Sequence, residues 1–314
     1  MTTAMPTLKS ILNPKRYLWY VRKHMLELRH RRRPNTKGID FFPPGHYYSP
    51  LLDLRGLGPQ DARFPYDGPE NWEYLDLRPA EQRAFYEDVL ERFPPLPFTA
   101  RKSNGYRYFI ENDFFPISDA FTLSSIIRKE QPKRIVEIGS GFSTAVTLDT
   151  LDAGRTSALL TFIEPYPDRL YSLLKDSDRA NSTILTKPVQ ECGLEVFDQL
   201  DAQDLLFIDS SHVAKIGSDV AFLFFRVLPR LKPGVIVHFH DIFYPFSYPY
   251  AWIHEGRAWN ESLFLRAFLL GSRQFQIMAF NSFAAHTFPD LFRSRYPMFL
   301  NNPPGGSLWI KKIA

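Results

Sequence analysis

From about residue 104 onward, short apolar runs alternate with longer stretches of helical periodicity. The runs IVEIG (135–139), LLFID (205–209) and VIVHF (235–239) are almost wholly apolar, as expected of strands that helices cover on both faces. Segments of ten or more residues with helical patterns separate them. This alternation predicts an α/β fold with a doubly wound parallel sheet. In such sheets ligands bind at the carboxyl ends of the strands, so the residues that follow each strand are the candidates for function.

The pattern before residue 104 is different. Residues 35–103 are rich in Pro, Gly and aromatic residues, which interrupt regular elements. One helix is predicted at 79–93, with Pro79 at its start and Pro94-Pro95 after its end. We therefore predict three parts, namely an arm (1–34), a cap or extension (35–103) and the α/β domain (104–314).

The arm carries most of the positive charge of the chain. Residues 8–34 contain nine Lys or Arg and one acid, Glu27, whereas the whole chain has a net charge of only +4. Such a segment fits a solvated helix that packs on its own domain or on a second copy of the chain, or one that lies on an anionic membrane surface. Nucleic acid is a weaker alternative, because no basic stripe crosses the α/β domain.

The overall composition narrows the setting. The chain has 314 residues with 44% hydrophobic and 23% charged residues, an ordinary globular composition. Its single cysteine, Cys192, excludes an intrachain disulfide and a cysteine-rich zinc site. No apolar run approaches 18 residues, and the N-terminus lacks the features of a signal peptide. These features predict a cytoplasmic protein.

The first candidate site follows the first strand. In EIGSG, Glu137 lies within the strand, and Gly139 and Gly141 form the turn before a helix, whose free N–H groups suit an anionic group. Glu164 ends the second strand, where an acid can accept hydrogen bonds from a ribose. A dinucleotide-binding loop would require a third glycine at Thr144. A Glu-x-Gly-x-Gly turn without it resembles the S-adenosylmethionine (SAM) loop of class I methyltransferases.

Further segments make a resemblance specific. IDSSH (208–212), LKPG (231–234) and HFHD (238–241) resemble the fourth and fifth strand ends of class I SAM-dependent methyltransferases, and in particular of bacterial macrolide-sugar O-methyltransferases. The resemblance implies a Rossmann-like, seven-stranded sheet whose last strand is antiparallel. It also implies a cofactor site with ribose at Glu164 and adenine near Pro165 and the 188–190 turn. Its expected residues are Glu137, Gly139, Ser140, Gly141, Ser143, Glu164, Pro165, Val189, Gln190 and Asp209.

NNPPGG (301–306) is similar to a signature of methyltransferases that act on amino groups of nucleic acids. That signature belongs after the fourth strand, where this chain has IDSSH, and Gly305 replaces its stacking aromatic residue. We interpret NNPPGG as a turn before the last strand.

The second candidate site combines the ends of the fourth and fifth strands. We expect Asp209, His212, His240 and Asp241 to be catalytic. Alternation along a strand would direct His240 to one face with His238, a buried structural histidine, and Asp241 to the other face beside Asp209. Converging carboxylates require a proton or a cation between them. Asp209, Asp241 and His240 are therefore candidate ligands for Mg²⁺ or another divalent cation. A metal-free site with His212 or His240 as general base stays open.

These features favour an enzyme that transfers a methyl group from SAM to a hydroxyl of a small molecule such as a sugar or a secondary metabolite. The aromatic segment FYPFSYPYAW (243–252) would form an apolar wall or lid over the acceptor. The alternative is a membrane- or partner-associated protein that keeps the fold and binds SAM without transferring its methyl group. An NAD or nucleotide-sugar enzyme is disfavoured by Thr144.

Overall fold

The computed structural model describes residues 42–55, 57–58, 74–103, 105–301 and 304–314. The chain divides into two compact units, Met1–Leu54 and Arg55–Ala314. The predicted arm (1–34) lies outside the described residues, as do parts of the predicted cap. Among the described residues, no helix has the length and apolar character needed to cross a membrane.

The larger unit contains a seven-stranded sheet in the order β3-β2-β1-β4-β5-β7-β6. Strands β1 to β5 pair in parallel, and β7 is antiparallel to both β5 and β6. The Rossmann-like methyltransferase fold predicted from the sequence is therefore confirmed. The strands are β1 (Arg134–Ile138), β2 (Leu159–Ile163), β3 (Ser182–Leu185), β4 (Leu205–Ile208), β5 (Ile236–Phe239), β6 (Phe275–Phe280) and β7 (Leu308–Lys312).

Helices cover both faces of the sheet. The α-helices are α1 (Pro79–Arg92), α2 (Ile117–Glu130), α3 (Phe142–Gly154), α4 (Asp168–Leu173), α5 (Asp176–Ala180), α6 (Glu195–Asp198), α7 (Asp219–Phe222), α8 (Tyr250–His254), α9 (Glu261–Gly271), α10 (Asn281–Thr287) and α11 (Pro289–Arg295). Short 3₁₀ turns lie at Val189–Glu191, Leu228–Arg230 and Pro297–Leu300.

The helical segment that begins with α7 is irregular. After α7 it continues as a π-helical stretch, Leu223–Val227, and then as the 3₁₀ turn at Leu228–Arg230. Pro229 lies in that turn and has no N–H for an α-helical hydrogen bond, which accounts for the irregular end.

Helix α1 packs against the antiparallel edge of the sheet through polar as well as apolar contacts. The Gln82 side-chain oxygen accepts a hydrogen bond from the Phe280 N–H at 2.8 Å, and the Tyr86 hydroxyl donates to the Asn281 side chain at 2.7 Å. Gln82 and Tyr86 are fully buried. These bonds fix the end of β6 and the start of α10.

The segment before α2 is fixed by a buried ion network. Arg107 donates to Asp149 at 2.8 Å and to Asp178 at 2.5 Å, and a third carboxylate, Asp152, lies at 2.8 Å. Asp149 also accepts hydrogen bonds from the Arg107 and Tyr108 main-chain N–H groups. The network ties this segment to α3 and α5, and so positions the residues that follow it beside the first strand ends.

Candidate active site

The sheet register places the predicted site residues along one edge. Ile138 at the end of β1 pairs with Ile163 of β2 and with Ile208 of β4, and Ile208 pairs with Phe239 of β5. The residue after each strand end therefore faces its neighbours across the edge. These residues are Gly139, Glu164, Asp209 and His240.

Gly139 is the position in this edge that depends on glycine. Its φ of +79° lies in the left-handed region, and a Cβ there would overlap the main-chain oxygen of Asp209. The Gly139 N–H donates to the Ile163 carbonyl at 3.0 Å, and the Asp209 N–H donates to the Ile138 carbonyl at 2.8 Å. The turn is thus packed directly against the end of β4.

Glu137 lies beneath this turn and supports it. Its Oε1 accepts hydrogen bonds from the Ser143 hydroxyl at 2.5 Å and the Thr144 hydroxyl at 2.9 Å, whereas the buried Oε2 has no partner. Burial raises the pKa of Glu137 to about 8. The Thr144 hydroxyl also accepts from the Gly141 N–H at 3.1 Å. Thr144 therefore has a structural task at the position where a dinucleotide loop would have glycine.

A cavity of about 150 Å³ lies above the turn. Six of the ten residues predicted to bind the cofactor line it. The lining consists of Phe114, Phe115, Gly139, Ser140, Gly141, Phe142, Ser143, Glu164, Arg169, Asp209 and Ser210.

The other four predicted cofactor residues lie elsewhere. Glu137 is under the turn, and Pro165, Val189 and Gln190 are absent from the lining. Val189 is buried in the core, and the Gln190 side chain donates to the Gly217 carbonyl at 3.2 Å. The adenine position near these residues stays a prediction.

Glu164 faces this cavity with one carboxylate oxygen engaged. Its Oε1 accepts from the Tyr166 N–H at 2.8 Å. Burial raises the pKa of Glu164, and the charge of Arg169 opposes that shift. The carboxylate thus keeps hydrogen-bonding capacity toward the cavity, as a ribose-binding acid requires.

An arginine and two phenylalanines cover the cavity. The Arg169 guanidinium lies 3.7 Å from the centre of the Phe114 ring, and Phe114 stacks on Phe142 at 5.7 Å with an interplanar angle of 13°. Phe114 is 49% exposed, so this part of the cavity lining is in contact with solvent.

Asp209 connects the cavity to a second group of ionisable residues. His212 Nε2 lies 3.4 Å from Asp209 Oδ1 and 3.6 Å from Asp241 Oδ2. His240 Nδ1 lies 3.5 Å from Asp209 Oδ1 and 3.6 Å from Asp241 Oδ1. The four predicted catalytic residues thus alternate, imidazole and carboxylate, around one small space. We call them the His–Asp ring.

Each histidine of the His–Asp ring has a further carboxylate behind it. His212 Nδ1 lies 2.9 Å from Glu261 Oε2, and His240 Nε2 lies 3.6 Å from Asp119 Oδ2. Both acids are buried. A carboxylate behind an imidazole fixes its orientation and increases the basicity of the opposite nitrogen.

Asp119 also organises the turn that follows NNPP. Its carboxylate accepts from the Gly306 N–H at 3.0 Å and the Ser307 N–H at 3.1 Å, and it sits where a Cβ on Gly305 would be. β7 begins at Leu308. The described part of NNPPGG is therefore the turn predicted before the last strand.

The charges of the His–Asp ring are strongly coupled. Although burial opposes ionisation, the two histidines hold the pKa of Asp209 well below its usual range. Burial disfavours imidazolium, yet Asp209 and Glu261 raise the pKa of His212 to about 10. Burial likewise opposes protonation of His240, but Asp241 and Asp209 raise its pKa well above the usual value. Without a cation, the surrounding carboxylates therefore favour the imidazolium form of both histidines.

The predicted separation of His240 and Asp241 onto opposite faces is wrong. β5 ends at Phe239, and Asp241 takes a φ of +56° in the left-handed region. This turn of the chain directs both side chains to the same space. His238 behaves as predicted, since it is fully buried, bonds to the Ser307 hydroxyl at 2.8 Å and stacks on Phe207 at 3.8 Å.

Aromatic side chains surround the outer side of the His–Asp ring. The Trp259 ring lies 4.3 Å from the His212 ring and 5.4 Å from the Trp252 ring. Trp252 in turn contacts Phe243 at 5.4 Å. Helix α8 begins within the segment predicted to form an aromatic wall (243–252). Trp259, from the loop after α8, contributes a further aromatic side chain.

Four residues of the candidate site were not anticipated from the sequence, namely Asp119, Arg169, Trp259 and Glu261. Asp119 lies in the first turn of α2, and Glu261 is the first residue of α9. Both are acids in the first turn of a helix, which is a common position for purely local reasons. The sequence around Asp119 and Glu261 carries no signal that separates them from solvent-exposed acids, and their burial becomes evident only in the structure.

Whether a cation fits the His–Asp ring depends on these donors. In the described part of the chain, no three His, Cys, Asp or Glu side chains already point at a common centre that could hold a metal ion. Both ring nitrogens of His240 are nevertheless buried without a hydrogen-bond partner. The 3.4–3.6 Å separations also approach the ~3.3–3.5 Å between ligands of a tetrahedral site with bonds of about 2.0–2.1 Å. The donor types are those that divalent cations bind, although the side chains as placed do not converge on one centre.

Comparison with known proteins agrees with this location. Residues 136–242 match the family model of a methyltransferase domain. The match begins in β1 and ends just after Asp241, so it includes every residue predicted for the cofactor and for catalysis.

Three individual relatives illustrate the range of similarity. A protein of Archaeoglobus fulgidus, itself uncharacterised, is 29% identical over 165 residues, which is 51% of this chain and 74% of the relative. A Podospora anserina methyltransferase bound to S-adenosylhomocysteine is 15% identical, with 75% of this chain and 89% of that chain covered and a TM-score of 0.41. The plantazolicin methyltransferase, with a substrate analogue and S-adenosylhomocysteine, is 14% identical over 63% of this chain and 83% of its own, with a TM-score of 0.39.

Proposed function

We propose that the protein transfers the methyl group of SAM to a hydroxyl of a small molecule. The observation that carries this proposal is the position of Asp209, which lines the cavity above the glycine turn and also belongs to the His–Asp ring. A methyl donor held in the cavity would therefore present its reactive end to the ring.

The cofactor end would use the glycine turn and the acid beside it. Glu164 would accept hydrogen bonds from the ribose hydroxyls. The main-chain N–H groups around Ser140 and Gly141 would face the polar end of SAM. The cavity of about 150 Å³ is small for this ligand, so the cover formed by Phe114 and Arg169 would move outward on binding.

Transfer itself requires alignment and the removal of one proton. The acceptor oxygen attacks the methyl carbon, the carbon–sulfur bond breaks with its electrons going to sulfur, and the hydroxyl proton passes to a base. When no cation is bound, the surrounding carboxylates favour the protonated forms of His212 and His240. In that state the base would be Asp241, whose pKa is raised by burial, with the imidazolium groups fixing the carboxylates in place.

A divalent cation in the ring is the arrangement we favour. Asp209, Asp241, His240 and His212 would hold it, and Glu261 and Asp119 would orient the two imidazoles. When bound, the cation would lower the pKa of the acceptor hydroxyl. Its positive charge would replace the charge of the protons on His212 and His240. Because two donors are imidazoles, Mn²⁺, Co²⁺ or Zn²⁺ suits the set better than Mg²⁺.

The acceptor side favours a molecule with an apolar face. Trp259, Trp252 and Phe243 offer flat surfaces next to the His–Asp ring, on which a sugar or another ring could stack while its hydroxyl points at Asp241. This arrangement supports a sugar or secondary-metabolite acceptor of the macrolide-sugar type.

Calorimetry and a turnover screen test the proposal. We expect SAM to bind and S-adenosylhomocysteine to form with at least one hydroxylated acceptor. Binding of NAD in place of SAM would overturn the proposal. SAM binding without turnover across hydroxylated sugars and ring metabolites would instead favour a binding protein of the same fold.

The cation is tested separately on protein stripped with EDTA. Titration with Mn²⁺, followed by electron paramagnetic resonance, should show one bound ion with coupling to imidazole nitrogen. His240→Gln should lose that coupling in part, whereas His254→Gln, an exposed histidine on α8, should leave the spectrum unchanged. Full turnover of the stripped protein would assign the proton removal to the carboxylates alone.

A further inference from the structure

The charges around the cavity above the glycine turn are unevenly distributed. Among the described residues that line it, Glu164 and Asp209 are acids and Arg169 is the one base. No described carboxylate lies within ion-pairing distance of the Arg169 guanidinium. Arg169 is therefore the group in this lining that can pair with an anionic part of a ligand.

Two contacts hold the Arg169 side chain over the turn. Its guanidinium lies 3.7 Å from the centre of the Phe114 ring, and Phe114 in turn stacks on Phe142. A Cβ on Gly141 would lie 3.3 Å from Cδ of Arg169, so the arginine side chain passes close above this glycine. Neither contact uses the guanidinium N–H groups, which stay able to donate to a ligand.

The shape of the proposed cofactor indicates which anionic group this would be. The sulfur of SAM bears the methyl group, the adenosyl group and an amino-acid chain that ends in the only carboxylate of the molecule. In the proposed function the ribose lies at Glu164 and the methyl group points to the His–Asp ring. The amino-acid chain then lies along the remaining side of the cavity, the glycine turn, above which Arg169 is held.

We infer that the Arg169 guanidinium binds the carboxylate of SAM and selects for a donor that has one. This inference rests on the proposed function and adds a residue that determines cofactor specificity. The planar guanidinium matches a carboxylate with two parallel N–H···O hydrogen bonds. Because the Phe114 ring already orients it, binding would require little further ordering of the side chain.

Calorimetry with a matched pair of ligands tests this inference. S-adenosylhomocysteine and 5′-deoxy-5′-(3-aminopropylthio)adenosine differ only in that the second lacks the carboxylate. We expect the wild-type protein to bind S-adenosylhomocysteine about tenfold or more tightly than the analogue. Arg169→Gln should weaken S-adenosylhomocysteine binding by roughly tenfold and leave the Kd of the analogue within about twofold of wild type.

Further variants separate the charge of Arg169 from its shape. Arg169→Lys keeps the charge without the planar fork and should retain part of the preference for the carboxylate. Phe114→Leu removes the ring that orients the guanidinium and should reduce the preference by about two- to fivefold. Arg179→Gln is the matched control, because Arg179 lies over the Tyr171 ring at 4.6 Å but outside the cavity lining. It should leave both affinities unchanged, and circular dichroism checks that each variant is folded.

Three outcomes would overturn this inference and leave the proposed function standing. They are equal affinity of the wild type for the two ligands, an equal loss of affinity for both in Arg169→Gln, and an unchanged preference in that variant. An equal loss would mean that Arg169 only shapes the cavity. A wild-type protein that binds neither ligand nor SAM would instead overturn the proposed function, and this inference with it.

Discussion

The two ends of the site differ in what builds them. The cofactor end is made by main-chain geometry, since Gly139 adopts a positive φ against the end of β4 and Glu164 follows the neighbouring strand. The reaction end is made by side chains from four separate segments, with Asp119 from α2 and Glu261 from α9 behind the two histidines. One end therefore depends on the shape of the backbone and the other on the balance of charge.

This difference predicts how each end fails. A substitution at the cofactor end should alter folding or SAM affinity, whereas one in the His–Asp ring should alter turnover with SAM affinity nearly unchanged. The four predictions below test that division, beginning with the largest expected effect.

Asp241→Asn should lower turnover by about 10²–10⁴-fold, because it removes a negative charge and a proton acceptor from the His–Asp ring. Asparagine tolerates the φ of +56° that Asp241 adopts, so the backbone should keep its conformation. Steady-state kinetics should show the loss in kcat, and calorimetry should show a Kd for SAM within about twofold of wild type. Asp176→Asn, at an exposed aspartate on α5, is the control and should keep full turnover. A large loss of SAM affinity in Asp241→Asn would contradict this division, because Asp241 would then contribute to cofactor binding as well as to turnover.

Gly139→Ala and Gly141→Ala test the backbone of the cofactor end. At Gly139 the new Cβ would meet the Asp209 main chain at an unfavourable φ, so we expect a loss of about 3–5 kcal/mol in the free energy of unfolding. At Gly141 the Cβ would lie 3.3 Å from Cδ of the Arg169 side chain, which can move, so the loss should stay below about 1 kcal/mol. Urea denaturation measures both. Equal losses would mean that the turn does not depend on a positive φ.

How far the sequence predicts the molecule follows the same division. Apolar runs and glycines are local signals, so β1, β4, β5 and the turn at Gly139 were all predictable. The direction of the Asp241 side chain was not predictable. Side chains alternate between the two faces only along a strand, and the strand ends at Phe239, before Asp241 adopts a left-handed backbone conformation. Asp119 and Glu261 were also not predictable, since their partners lie more than a hundred and about fifty residues away along the chain and only tertiary packing brings them together.

Glu164→Ala should weaken SAM binding by roughly tenfold or more, since ribose hydroxyls would lose a carboxylate partner in a half-buried site. Calorimetry measures the affinity, and Glu195→Ala on α6 is the control, because that acid lies outside the cavity lining. Turnover at saturating SAM should stay within a few-fold of wild type. Unchanged SAM affinity in Glu164→Ala would show that the ribose does not bind at the end of β2.

Glu137→Gln should give the smallest effect and one that depends on pH. The pKa of Glu137 is raised from 4.5 to about 8, so the folded protein holds a proton that the unfolded chain releases above about pH 4.5. The wild type therefore loses stability as the pH rises from about 4.5 to 8, and the variant, whose amide cannot ionise, should not. The amide oxygen of the variant would still accept from Ser143 and Thr144. We expect the variant to match the wild type near pH 5 and to exceed it by about 1–3 kcal/mol at pH 8, measured as the difference in free energy of unfolding across that range. A pH-independent difference would mean that Glu137 is ionised in the folded protein and that the unpartnered Oε2 has a cation or a hydrogen-bond donor beside it.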